Sequence, residues 1–184
     1  MRIISGQFRG KKLVSAPENI TRPTSDRAKE GLFNVLESYL YKAEKKWQDL
    51  EFADVFAGSG AIGIEACSRG VKKTIFFENN QQALRFLRQN IKSIGINNTE
   101  IHQNALFPTQ REKAIDIYFS DAPYQQGLTE KALQAFYHNG WINENTIIIL
   151  EADFKEQLIL PKDFTTERLL SYGRNQFHII KKTK

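Results

Sequence analysis

Cysteine, histidine and long apolar runs are all scarce in this chain, and each scarcity removes a class of protein. A single cysteine, Cys67, rules out an intrachain disulfide and argues against a cysteine-based metal cluster. It falls in a predicted helix, where a buried, inert thiol is the expected reading. The three histidines, His102, His138 and His178, are scattered without metal-ligand spacing, so no metal site is expected. No nucleophilic triad is visible either. No window approaches the roughly 18 apolar residues that a membrane span requires. The start, Met1-Arg2-Ile3-Ile4-Ser5-Gly6, lacks the apolar stretch of a secretory signal, so a cytoplasmic location is expected by elimination. Internal repeats and low-complexity stretches are absent as well.

What is present suits one domain with a small appendage: 184 residues, 41% hydrophobic, enough for a buried core. The net charge of +5 is unevenly placed. Residues 1–29 carry Arg2, Arg9, Lys11, Lys12, Arg22, Arg27 and Lys29 against only Glu18 and Asp26, and the rest of the chain is neutral. A localised basic segment is the footprint expected of a phosphate-backbone contact. A solvated surface strand and helix would look the same, and charge alone does not separate the two.

The opening predicts a hairpin, Arg2–Ile4 against Lys12–Val14, around a turn spanning Gly6 to Gly10. Pro17 and Pro23 bracket an extended connector. A helix should then start near Thr24 or Ser25, either of which can cap it, with Ala28, Leu32, Val35, Leu36 and Tyr39 at helical spacing. From Phe52 onward, short apolar runs alternate with amphipathic helices: Phe52–Phe56, Thr74–Phe77, Thr99–Ile101, Ile115–Phe119 and Thr146–Leu150. The last of these is the most apolar and is expected to be a central strand. Arg168–Tyr172 and Gln176–Lys181 should form a closing hairpin at Gly173. The alternation implies an α/β fold, doubly wound and Rossmann-like.

Gly58-Ser59-Gly60-Ala61-Ile62-Gly63 satisfies G-x-G-x-x-G between a strand and a helix, where main chain must approach a ligand without intervening side chains. Glu78, twenty positions after Gly58, ends the next strand and can accept hydrogen bonds from both ribose hydroxyls of an adenosine. These features fit a nicotinamide cofactor as well as S-adenosylmethionine. Two others favour the second. Asp54 stands just before the glycine loop, where an acid suits the cationic amino group of a methionine moiety and repels a pyrophosphate. Ser120-Asp121-Ala122-Pro123-Tyr124 follows the fourth strand, where a doubly wound sheet places its substrate.

Asp121-Ala122-Pro123-Tyr124 resembles the Asp/Asn-Pro-Pro-Tyr/Phe motif of methyltransferases acting on planar exocyclic amines. With Asp54-Val55-Phe56-Ala57-Gly58-Ser59-Gly60, Arg22-Pro23-Thr24 and Arg27, the chain resembles the bacterial 16S ribosomal RNA guanine-N2 methyltransferase family, the RsmD-like group, over nearly its whole length. The resemblance implies a Rossmann-like S-adenosylmethionine-dependent methyltransferase fold. Its sheet should be mostly parallel and seven-stranded, with a C-terminal antiparallel hairpin. A basic N-terminal hairpin and connector (1–23) should precede a methyltransferase domain (24–184). The implied reaction is methylation of the exocyclic N2 amine of a guanine in 16S rRNA, within a partly assembled small subunit, by a monomer.

By position, the resemblance assigns the cofactor to Asp54, Phe56, Ala57, Gly58, Ser59, Gly60, Glu78, Asn79, Asn104 and Ala105. Catalysis falls to Asp121, Ala122, Pro123 and Tyr124. Arg9, Lys11 and Lys12 are expected to grip phosphates beside the site, while Arg22, Thr24 and Arg27 close over the cofactor or target base. Two positions depart from the family pattern. Asn104 replaces an aspartate but still donates and accepts hydrogen bonds. Ala122 replaces a proline, keeping the carbonyl that accepts from the target amine while Pro123 biases it toward extended backbone. A DNA amino-methyltransferase, a nicotinamide oxidoreductase and a non-catalytic RNA-binding module are the competing readings.

Overall fold

The structure, a computed structural model, describes residues 1–15, 24–123, 127–155 and 158–183. Helix α1 (Asp26–Lys42) opens at the two candidate caps, and the structure separates them. Ser25 is the cap: its backbone is extended and its hydroxyl accepts the Ala28 N–H. Thr24 points elsewhere. Ala28, Leu32 and Leu36 are buried as the helical stripe requires, with Lys29 and Phe33 beside them.

Five strands, β1 (Glu51–Val55), β2 (Lys73–Phe77), β3 (Thr99–His102), β4 (Ile117–Ser120) and β5 (Ile147–Asp153), pair in parallel. Helices α2 (Ala61–Ser68), α3 (Gln81–Ile94) and α4 (Leu128–His138) connect them. Strands β6 (Phe164–Tyr172) and β7 (Asn175–Lys182) close the sheet as an antiparallel hairpin through Gly173, with β7 beside β5. The order β3-β2-β1-β4-β5-β7-β6 makes the expected mostly parallel, seven-stranded, doubly wound sheet. The very apolar β5 is a central strand as expected, paired with β4 on one side and β7 on the other and buried on both faces, which accounts for its composition. Among the described residues no helix is long and apolar enough to cross a membrane.

Alternate residues of each strand enter two cores. Phe52, Phe76, Ile117, Phe119 and Ile149 pack with α1, α2 and α3. Ala53, Val55, Ile75, Phe77, Tyr118, Ile148 and Leu150 pack with Leu133 and Phe136 of α4 and with Trp141. This two-fold alternation decides which polar side chains share a face at the strand ends.

The N-terminal residues form a looser hairpin than expected: one antiparallel bridge, Arg2 to Lys12, with further main-chain bonds between Ile3 and Gly10–Lys11. It is fastened to the domain. Glu65 of α2 accepts the N–H groups of Ile4 and Ser5 at 2.8 and 2.9 Å, and Ser68 holds Ser5 and Phe8. Asn90 of α3 bonds both the N–H and the carbonyl of Val14. Ile3 and Leu13 enter the same core as α1.

Candidate functional site

Beyond β1 the chain leaves the sheet at Phe56, whose φ of 61° puts a non-glycine residue in the left-handed region. Ala57 N–H still reaches the carbonyl of Phe77, so the turn starts flush with the end of β2. Gly60, at φ 85°, leads into α2, and a Cβ there would lie 2.4 Å from Leu87 Cδ1. A Cβ on Gly63 would lie 2.3 Å from the Phe76 ring, which is why the helix can pack this close to β2. The glycine pattern therefore serves packing as well as any ligand.

Two acidic side chains brace this loop from below. Glu78 takes the Gly58 N–H on one oxygen and the Asn80 N–H on the other, both at 2.7 Å. Each oxygen retains a second lone pair for a ligand hydroxyl. Asn80 caps α3 through the N–H groups of Gln82 and Ala83, and Asn79 is exposed. Asp54 accepts the Gly63 N–H at 2.8 Å. Burial pushes its carboxyl up to about 8; the Gly63 N–H opposes this, and the nearby charges of Glu78 and Glu151 add to it. The native state thus holds a proton that the unfolded chain loses near pH 4. Asp54 therefore costs stability progressively as pH climbs from about 4 to about 8. An acid kept neutral in this way is poised to ionise when a cation arrives beside it.

The Asp121 turn meets this loop directly. Asp121 N–H donates to the carbonyl of Val55, extending the β1–β4 ladder one step past β4. Asp121 is half-buried, Ala122 buried and Pro123 exposed, while Tyr124 lies outside the described residues. Asn104 is exposed and accepts the Leu106 N–H, and Ala105 beside it is buried. Both follow β3.

Strand alternation brings a further residue to the same place. Glu151 follows Leu150, whose register partner on β4 is Ser120, so Glu151 stands across from Asp121. Counting by twos from Phe52, Phe76, Phe119 and Ile149 puts Asp54, Glu78, Asp121 and Glu151 on one face at the carboxyl ends of four adjacent strands. Sequence inspection overlooked Glu151. The signal was present, since Glu151 directly follows the apolar run Thr146–Leu150 just as Glu78 directly follows Thr74–Phe77. Among the described residues no group of His, Cys, Asp and Glu side chains is placed to hold a metal ion.

The basic candidates divide. Thr24 comes to the carboxyl edge, buried, with its hydroxyl on Glu151. Arg27, in the first turn of α1, is exposed, and Arg22 lies outside the described residues. Arg9, Lys11 and Lys12 are exposed, and the strand carrying Lys12 runs on to Val14, whose carbonyl shares the Asn90 side-chain amide with the carbonyl of Ser59 in the glycine loop. Lys11 reaches the Ile94 carbonyl at the last turn of α3, whose first turn is the one next to Glu78. Fourteen residues of helix separate the ends by about 20 Å. Anchoring of the hairpin to Glu65 and Ser68 directs its turn toward the C-terminus of α2. At that position Lys11 also complements the negative end of α3.

Comparison with known proteins adds an independent line. Residues 1–181 match the family described as conserved hypothetical protein 95. The chain is 34% identical to ribosomal RNA small subunit methyltransferase D of Haemophilus influenzae over 171 residues, covering 90% of this chain and 85% of that one. It is 36% identical to the protein of the same name from Buchnera aphidicola subsp. Acyrthosiphon pisum, covering 89% and 83%. The solved structure of yhhF from Escherichia coli superposes with a TM-score of 0.80 at 30% identity, over 100% of this chain and 98% of that one.

Proposed function

Because this chain belongs to the conserved hypothetical protein 95 family, we propose that it is an S-adenosylmethionine-dependent methyltransferase acting on the exocyclic N2 amine of a guanine in 16S ribosomal RNA. The relatives named above support the ribosomal RNA substrate. The observation that supports the chemistry is the main-chain bond from Asp121 to Val55, which brings the Asp121 backbone alongside the end of β1, where the glycine loop begins.

In this scheme Glu78 receives the ribose hydroxyls, Asp54 the methionine ammonium, and Asn104 with Ala105 flank the adenine. S-adenosylmethionine supplies an already activated methyl group, so the protein mainly has to align the acceptor. Asp121 and the Ala122 carbonyl accept hydrogen bonds from the guanine amine, orienting its lone pair and stabilising the positive charge that develops on nitrogen. Tyr124 stacks on the base, contributing about 1–3 kcal/mol. A guanine within a duplex has to be extruded first. The test is transfer of labelled methyl to small-subunit rRNA, followed by nucleoside mapping. Label in N2-methylguanosine is expected; label confined to duplex DNA, or none, overturns the proposal.

Asp54 yields a pH signature. Its proton must leave before it can pair with an ammonium, so cofactor affinity should climb between pH 5 and 7 by up to about tenfold per unit. Calorimetry in buffers of differing ionisation enthalpy should register release of one proton per cofactor bound. Binding that releases none would remove Asp54 from the role.

The basic residues of the hairpin, with Lys11 at the α3 end about 20 Å along that helix from its first turn, are proposed to contact RNA phosphates. Replacing Arg9, Lys11 and Lys12 by glutamine should weaken RNA binding and lower the salt slope by about one for each phosphate no longer neutralised. An unaltered slope would remove the hairpin from the interface.

A further inference from the structure

We propose that Glu151 is a positioning residue, holding the chain that enters α1 against the methyl-transfer edge through Thr24 and Asn175. The inference rests on the function proposed above. Thr24 Oγ1 donates to Glu151 at 3.0 Å to one oxygen and 3.3 Å to the other, across 127 positions of sequence. The Asn175 side-chain amide donates to the same carboxylate from the start of β7. Glu151 is 3% exposed and Thr24 6%. One buried group therefore joins three parts of the chain: the segment leading into α1, the carboxyl end of β5 and the closing hairpin.

Packing alone does not call for a carboxylate here. Taking a charge out of water costs several kcal/mol, and apolar side chains of the same size usually fill such a place at no loss of stability. What a carboxylate adds is direction, because its hydrogen bonds specify distance and angle where apolar contact specifies neither. Its location gives that direction a use. Glu151 stands across from Asp121 in the β4–β5 register and on the same face, and its charge is felt at Asp54. Thr24 is also the residue on which the connector from the basic hairpin arrives. Holding Thr24 thus holds one wall of the site beside the acid that receives the target amine. Glu151 touches no reacting atom in this scheme; it acts through the placement of Thr24.

Thr24→Val removes the hydroxyl at nearly constant volume, and Thr24→Ser keeps it. Both are compared with the unaltered chain for steady-state methyl transfer to small-subunit rRNA, calorimetric affinity for S-adenosylmethionine, and melting temperature. Misplacement of the wall predicts that Thr24→Val loses about ten- to a hundredfold in kcat/KM for RNA, with cofactor affinity unchanged. Thr24→Ser should recover most of the loss. Full activity in Thr24→Val, equal impairment of both variants, or a loss matched by weaker cofactor binding overturns the inference while leaving the proposed function intact. An unaltered chain that methylates no RNA overturns both.

Discussion

Asp121→Ala is expected to reduce methyl transfer to RNA by about a hundred- to a thousandfold, the effect seen when a preorganised group facing developing charge is removed. The backbone that presents the residue should survive, because the bond to Val55 comes from the Asp121 main-chain N–H, which alanine retains. Ala122 is already buried behind it, and the ladder between β1 and β4 is untouched. The cofactor groups, Asp54 and Glu78, are held by hydrogen bonds that do not involve Asp121. Affinity for S-adenosylmethionine should therefore remain close to that of the unaltered chain while single-turnover transfer collapses. Asp121→Asn sharpens the test. An asparagine keeps one oxygen acceptor for the amine but cannot take up a proton. A mild loss in Asn with a severe one in Ala identifies hydrogen-bond acceptance as the role, whereas equal losses identify proton uptake. Transfer within about tenfold of the unaltered rate in Asp121→Ala would remove the residue from the mechanism, since a group facing the reacting nitrogen is worth more.

The largest effect on stability is expected at Glu65, far from that chemistry. Glu65 and Lys29 are both fully buried, with the ammonium 3.6 Å from the carboxylate. Glu65 also accepts the N–H groups of Ile4 and Ser5 and the Arg69 Nε, while Lys29 donates to the Arg2 carbonyl. Burial lowers the Lys29 pKa, and the Glu65 charge is the largest influence opposing that shift. Glu65→Ala strands this ammonium in the interior and leaves two main-chain donors without their acceptor. The cost should be about 3–5 kcal/mol, visible as a fall in melting temperature on the order of 10 °C. Adding Lys29→Met should recover part of the loss, because the stranded charge is gone, but not all of it, because Ile4 and Ser5 still lack a partner. A Glu65→Ala variant melting within a degree or two of the unaltered chain would show that Ser68, Asn90 and the packing of Ile3 and Leu13 hold the hairpin without Glu65. Because this network fastens the hairpin, the same variant should also weaken whatever RNA contact Arg9 and Lys12 make.

Much of the fold was legible beforehand, for local reasons. Strand–helix alternation, the stop of α3 at Gly95 and the hairpin through Gly173 all follow from the period of apolar residues and from turn chemistry. The cofactor loop was legible because its glycines and flanking acids fall within one strand-turn-helix unit. Two local ambiguities needed the folded chain. Thr24 and Ser25 are equivalent as helix caps on paper, and only the presence of Glu151 shows why Ser25 takes the cap while Thr24 turns inward. The hairpin's basic residues carry the mark of a phosphate contact, yet nothing in their spacing reveals that Glu65 and Ser68 hold their turn at the far end of α2.

The amino-acid sequence by itself determined the order of elements, the glycine turn, the family and three of the four acids at the carboxyl edge. Each element and motif depends on residues close together in the chain, and the family on the order of those motifs along it, so linear pattern is enough to expose them. Tertiary structure decided that Asp54, Glu78, Asp121 and Glu151 share one face, that Thr24 closes on Glu151, and that Glu65, Ser68 and Asn90 fasten the basic hairpin to α2 and α3. Those facts follow from strand register and from buried hydrogen bonds between distant segments, and register is set only when the whole sheet packs.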